Sequence, residues 1–205
     1  MEFVAPLASD IDRYAALYYW ESTDFGVWQL FTYMFVHGGF THLFFNMFAL
    51  LMFGGIIERS LGSSRFLFYY ISCGVGAALI QEGVFAIMAS QYHQMFTPDQ
   101  VGTIIDQASY LLQTPTVGAS GAVYGILLAF GVLYPNMRMY IMFIPVPVAA
   151  KWVVLGYGVL ELTMGLGNLH SSVAHFAHLG GMLIGLLMIL YWKKKGAAGN
   201  GPTYY

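Results

Sequence analysis

One serine stands in an unusual place. In PTVGASGAVYGILLAF, residues 115–130, Ser120 sits among glycines and alanines at the head of a long apolar run. Such a serine can cap a helix or let a neighbouring helix come close. With a base beside it, it can also attack a carbonyl carbon. Histidine is the side chain that takes a proton near neutral pH. His178, in AHLGGMLIG, shares one helix face with Gly181 and Gly185, at i, i+3 and i+7. That small-residue seam beside a histidine lets another backbone approach closely. His175 lies one turn earlier. His42 and Asn46, in HLFFN, are four residues apart and also share a face. Each group has a plain structural reading too: helix cap, helix-to-helix hydrogen bond, or close-packing seam.

Taken as chemistry, these residues make most of an acyl-transfer site. Ser120 supplies the nucleophile and His178 the base. Attack on an amide carbonyl creates an oxyanion that needs fixed donors. The Ser120 N–H, free if Pro115 and Gly118 mark a helix start just ahead of it, is one candidate. The Asn46 amide and the His42 ring are others. Tyr124, one turn after Ser120, can stack on the imidazole. The acidic third member of a triad is what this set lacks. Glu161 and Glu82 lie in apolar segments, but each is read as a cavity residue or a snorkelling surface group, not as the partner of His178. The expectation is a Ser-His dyad.

The elements that must carry these residues are membrane helices. The chain has 205 residues, 58% hydrophobic and only 9% charged. A soluble domain carries about 25% charged residues, and this deficit cannot cover a wetted surface. Five segments are apolar enough to span, at roughly 42–57, 66–90, 117–134, 152–166 and 173–192. Residues 1–41 are interrupted by acids and rich in aromatics. They are expected to form an interfacial outer segment and not a span. Residues 42–192 form the expected transmembrane domain, and 193–205 a basic, disordered tail. Thr97-Pro98-Asp99 predicts the start of a short amphipathic helix through about Leu112.

Orientation follows from the cations. Arg59, Arg65, Arg138, Lys151 and Lys193–Lys195 all fall on one side of a five-span chain, which the positive-inside rule makes cytoplasmic. The N-terminus is then outside and the C-terminus inside. The same topology puts His42, Asn46, Ser120 and His178 in one layer near the outer face. Polar residues collected there suit a shared site. A net charge of −2 gives no sign of nucleic acid as a partner. The single cysteine, Cys73, reads as a small buried residue, and no metal-ligand spacing is present. No cleavable signal peptide is expected.

At these residues the sequence resembles the rhomboid family of intramembrane serine proteases. GASGAVYG matches its nucleophile motif, AHLGGMLIG its base helix and HLFFN its oxyanion helix. GGIIERSLG, residues 54–62, resembles the inner end of that helix. The resemblance runs from about residue 28 to 192. It implies an all-α membrane protein with a rhomboid-like bundle. Ser120 would be the nucleophile, His178 the base, and His42, Asn46 and the Ser120 amide the oxyanion donors. Tyr124 would stack on the base. Supporting roles fall to His37, in FVHGGFTH, to His175, and to Gly118, Gly121 and Gly181. Phe45, and Trp152 or its neighbours, would line substrate entry, with 165–172 as a cap over the site. Neither metal nor cofactor is implied.

Basic-type rhomboids have six spans, with a helix ahead of the aromatic loop. This sequence starts where that loop would begin, so a chain short of the family's first helix is expected. The function implied is an intramembrane endopeptidase that cuts single-span membrane proteins near the outer face, in a bilayer taken to be a bacterial plasma membrane. The competing reading is a rhomboid-like pseudoprotease that binds membrane clients. A transporter would call for broken spans, a midplane site or inverted repeats, and none is visible.

Overall fold

The structure is a computed structural model that describes residues 9–95, 114–140, 146–167 and 173–196. The expected helix at 97–112 and most of the expected cap, 168–172, lie outside the described residues. The described part is mostly helical, with one small strand pair and irregular connections. A short α1 (Asp10–Ala15), capped by the Ser9 side chain, leads to α2 (Gln29–Thr32) and a 3-10 turn (Tyr33–Phe35). No long helix forms here, as the acids and aromatics of this region predict. The segment is nonetheless well anchored. Leu17 and Thr116 exchange backbone hydrogen bonds of 3.0 and 2.7 Å. Gln29, fully buried, donates to the Tyr14 and Asp24 carbonyls and accepts from the Tyr18 N–H.

Among the described residues, a further helix falls on each of the five predicted segments. The first, α3, runs over Phe40–Leu61 and includes a π-helical stretch at Leu50–Gly54. Gly39, at φ 144°, opens it, and Gly62, at φ 81°, ends it. Both angles favour glycine. The helix starts two residues before the expected 42–57 and continues through residues 58–61, so α3 is longer than expected. α4 (Ser63–Met95) starts directly after Gly62, leaving Arg59 and Arg65 within helices at a tight corner. α5 (Ser120–Leu133) is the shortest of the five. α6 (Ala150–Gly167) takes in Gly165, Leu166 and Gly167, which the sequence reading assigned to the cap loop. α7 (Val173–Lys194) takes in Lys193 and Lys194, assigned to the tail. Cations suit the C-terminal turn of a helix.

Among the described residues, three helices are long and apolar enough to cross a membrane: Phe40–Leu61, Ser63–Ser90 and His175–Lys194. At about 1.5 Å per residue, α5 rises only about 21 Å, against a hydrocarbon core of about 30 Å. α6 carries Lys151 and Glu161. Between α5 and α6, β1 (Arg138–Met139) pairs antiparallel with β2 (Val148–Ala149), which periodicity gave no hint of.

α5 is the centre of the bundle and packs on both α4 and α7. Small residues allow this. A Cβ on Gly181 would run into the Gly121 carbonyl, and one on Gly125 would meet Cys73 Sγ at 2.6 Å. Cys73 is free and buried, as its setting predicts. Two buried tyrosine hydroxyls find backbone partners. The Tyr69 hydroxyl donates to the Gly125 carbonyl at 2.6 Å, and the Tyr33 hydroxyl to the Gly74 carbonyl at 2.7 Å. Such bonds tie α4 to α5, and the N-terminal segment to α4.

Candidate functional site

Gly118 sets the entry to α5. Its φ is 115°, and an added Cβ would meet His42 Cε1 at 2.7 Å and Nε2 at 2.8 Å. Only glycine suits both the backbone and the space. Its N–H donates to the Tyr33 carbonyl at 3.0 Å, and the Ala119 N–H makes a long bond of 3.4 Å to His37 Nε2. Burial lowers the His37 pKa below the ordinary histidine value, which favours the neutral ring that can accept. The chain then turns into a helix at Ser120, whose N–H belongs to the first turn and has no intrahelical partner.

The Gly121–Gly181 contact brings α7 against this helix start. His178 Nε2 lies 2.7 Å from Ser120 Oγ. The Tyr124 ring stacks on the imidazole at 4.2 Å between centroids and 9° between planes. His178 is thus held by its face as well as by its edge.

α3 brings His42 and Asn46. His42 Nδ1 accepts from the Gly38 N–H at 3.3 Å. A neutral ring accepting at Nδ1 carries its proton on Nε2, on the side of the ring that lies beside Gly118. Asn46 Nδ2 donates one hydrogen to the His42 carbonyl at 2.9 Å. The second amide hydrogen remains available. His42, Asn46, Ser120, Tyr124 and His178 line one cavity of about 510 Å³. The apolar part of its wall includes Phe45, Met52 and Phe53 from α3 and Val153, Val154 and Tyr157 from α6.

Trp152 does not line it. Positions 153, 154 and 157 share one face of α6, and helical rotation turns 152 away. Trp152 is 59% exposed, with Lys151 Nζ 5.6 Å from its ring centroid. Its neighbours Val153 and Val154 line the cavity instead. Phe45 does line the cavity and is 53% exposed.

The largest departure from the sequence reading is Glu161. It is 5% exposed and faces the histidines. Its Oε1 accepts a short hydrogen bond from the Tyr124 hydroxyl. Its Oε2 lies 2.5 Å from His175 Nδ1, so His175 donates there. The same oxygen lies 3.1 Å from His178 Nδ1, within ion-pair reach but out of line for a hydrogen bond. The expectation that no acid stands beside the base is corrected. A carboxylate inside an apolar helix was the visible signal. What hid its role was that α6 and α7 had to be packed before its partner could be seen. Glu82, the other candidate, accepts from the Trp20 N–H at 2.9 Å and anchors the N-terminal segment.

Glu161, His175 and His178 also have the composition of a possible cation site, with ligand-type atoms within 4.8 Å of one another. A cation there would displace the proton that His175 shares with Oε2.

A rhomboid family model, described as the rhomboid domain, matches residues 24–195. The chain belongs to the rhomboid family. It is 32% identical over 193 residues to Rhomboid protease AarA of Providencia stuartii, covering 91% of this chain and 64% of that one. It is 33% identical over 157 residues to RHOMBOID-like protein 12, mitochondrial, of Arabidopsis thaliana, covering 76% of this chain and 43% of that one. Rhomboid protein 1, mitochondrial, of Saccharomyces cerevisiae is 31% identical over 160 residues, 78% of this chain and 40% of that one. The chain thus spans less than two thirds of the length of these relatives. Its family membership and its apolar helices make it an integral membrane protein. The matched region takes in His37 and every residue that lines the cavity described above.

Proposed function

We propose that this rhomboid is an intramembrane serine endopeptidase, with Ser120 as nucleophile and His178 as general base. The observation that carries the reading is the 2.7 Å contact between Ser120 Oγ and His178 Nε2. It lies in a cavity lined by further polar donors. The Ser120 hydroxyl gives its proton to Nε2 as Oγ bonds to the carbonyl carbon of the scissile amide. The oxyanion is met by the Ser120 N–H, the His42 Nε2–H and the free Asn46 amide hydrogen. Nε2 then passes the proton to the leaving amine as the C–N bond breaks. Water repeats the sequence on the acyl-enzyme. The residues of the scheme are all side chains and backbone amides of this chain.

The substrate would be a membrane-spanning segment of another protein, extended locally before cleavage. Helical amides are hydrogen-bonded and shielded, so helix-breaking residues near the scissile bond favour entry. The basic corners support a site toward the outer face and a cytoplasmic C-terminus, in a bilayer taken to be a bacterial plasma membrane. A reporter with a single span, reconstituted with the protein in liposomes, tests this. Cleavage by the parent, and a loss of at least about 1,000-fold in Ser120→Ala, are expected. Parent-rate cleavage by the variant would sink the assignment. Reporter binding without any product would favour a client-binding pseudoprotease.

A further inference from the structure

We propose that Glu161 is a positioning residue that fixes the tautomer of His178, through a carboxylate shared with Tyr124 and His175. The inference rests on the Ser120–His178 reaction proposed above.

A neutral imidazole has one N–H, and the reaction requires it on Nδ1. Only then does Nε2 hold the lone pair that accepts the Ser120 proton. A carboxylate accepts and does not donate. Glu161 Oε2, 3.1 Å from Nδ1, therefore favours the Nδ1–H form. The carboxylate is itself fixed at both oxygens, by the Tyr124 hydroxyl at Oε1 and by His175 Nδ1–H at Oε2. Tyr124 also stacks on the His178 ring, so one side chain sets both the plane of the base and the place of its acid. In this resting geometry Nδ1 is buried with no aligned partner. A small rotation of the ring within the stack closes the bond. Hydrogen bonds of this kind are often long in the free enzyme and tighten with substrate. When Nε2 takes the serine proton, the imidazolium lies beside the carboxylate, and Glu161 keeps its charge throughout.

Glu161→Gln probes this directly. Glutamine has a single acceptor oxygen and cannot serve Tyr124, His175 and His178 together. Its amide hydrogens also favour an unprotonated Nδ1, the wrong tautomer. Glu161→Asp keeps the charge. Two readouts apply: the rate at which a fluorophosphonate labels Ser120, and the ¹⁵N spectrum of labelled histidine, with His178 assigned by substitution. The parent should show the Nδ1–H form. The glutamine variant should shift toward Nε2–H and label at least about 100-fold more slowly, and the aspartate variant should recover the tautomer and part of the rate.

A glutamine variant with the parent's tautomer and rate would overturn the proposal. So would a slowed variant whose tautomer is unchanged and whose unfolding midpoint has dropped, because that is a purely structural role. A parent signal from Nε2–H overturns it without any variant, even if glutamine prevents folding. Loss of parent labelling with a chelator would make the cluster a metal site and also overturn it. A tautomer that responds to Glu161 in a parent that never labels would contradict the serine reaction and leave the role of Glu161 intact.

Discussion

Asn46 has two amide hydrogens, and the fold uses one of them. The bond to the His42 carbonyl holds the side chain against its own helix and leaves the second hydrogen available on a residue that lines the same cavity as Ser120. His42 is prepared in the same way, with Nδ1 occupied by the Gly38 N–H and Nε2–H beside Gly118. Neither donor has to reorganise when charge develops, which is what makes such donors effective. Asn46→Ala should therefore lower the turnover of a spanning reporter about 100-fold. Its unfolding midpoint should stay near the parent's, since the lost bond lies within one helix turn. A variant with parent turnover would remove Asn46 from the oxyanion set. At this scale the sequence was legible wherever a residue's partners lay on its own helix or in a known motif. Ser120, His178, His42, Asn46 and Tyr124 all meet at one cavity. Glu161 was visible as an oddity, but its meaning needed the packing of α6 on α7. Trp152 was one residue out of phase for a reason that only the rotation of α6 reveals.

The seam between α5 and α7 is the element on which the proposed site depends. Gly121 and Gly181 bring the two backbones so close that a methyl on Gly181 would strike the Gly121 carbonyl. Gly181→Ala should push the helices apart, cost on the order of 1–3 kcal/mol and slow labelling of Ser120 along with it. Gly156→Ala, on α6 with nothing within 4 Å of the added methyl, is the matched control and should leave both unchanged or raise the midpoint slightly. Equal unfolding midpoints for the two variants would contradict the close-packing account. The glycine spacing made this seam readable from the sequence, as apolar runs made the five helices readable. Their ends were less so. α3 continues through Glu58 and Arg59 because Gly62 stops a helix and the charges do not. The strand pair beyond α5 is two residues long on each side, too short for any periodicity to register.

For the whole molecule, the cations alone placed the four key polar residues in one layer, and the structure brings those residues to one cavity. At about 21 Å, α5 is shorter than a hydrocarbon core of about 30 Å. The loop that leads into it is pinned to Leu17, Tyr33 and His37. The central claim remains that Ser120 is made reactive by His178. The most direct measurement is labelling of the detergent-solubilised protein by a fluorophosphonate, with the modified residue mapped by mass spectrometry, beside Ser120→Ala and His178→Ala. Labelling of the parent at Ser120, with none in either variant, is the predicted result. Equal labelling of the parent and His178→Ala, or a label that maps to another residue, would contradict it.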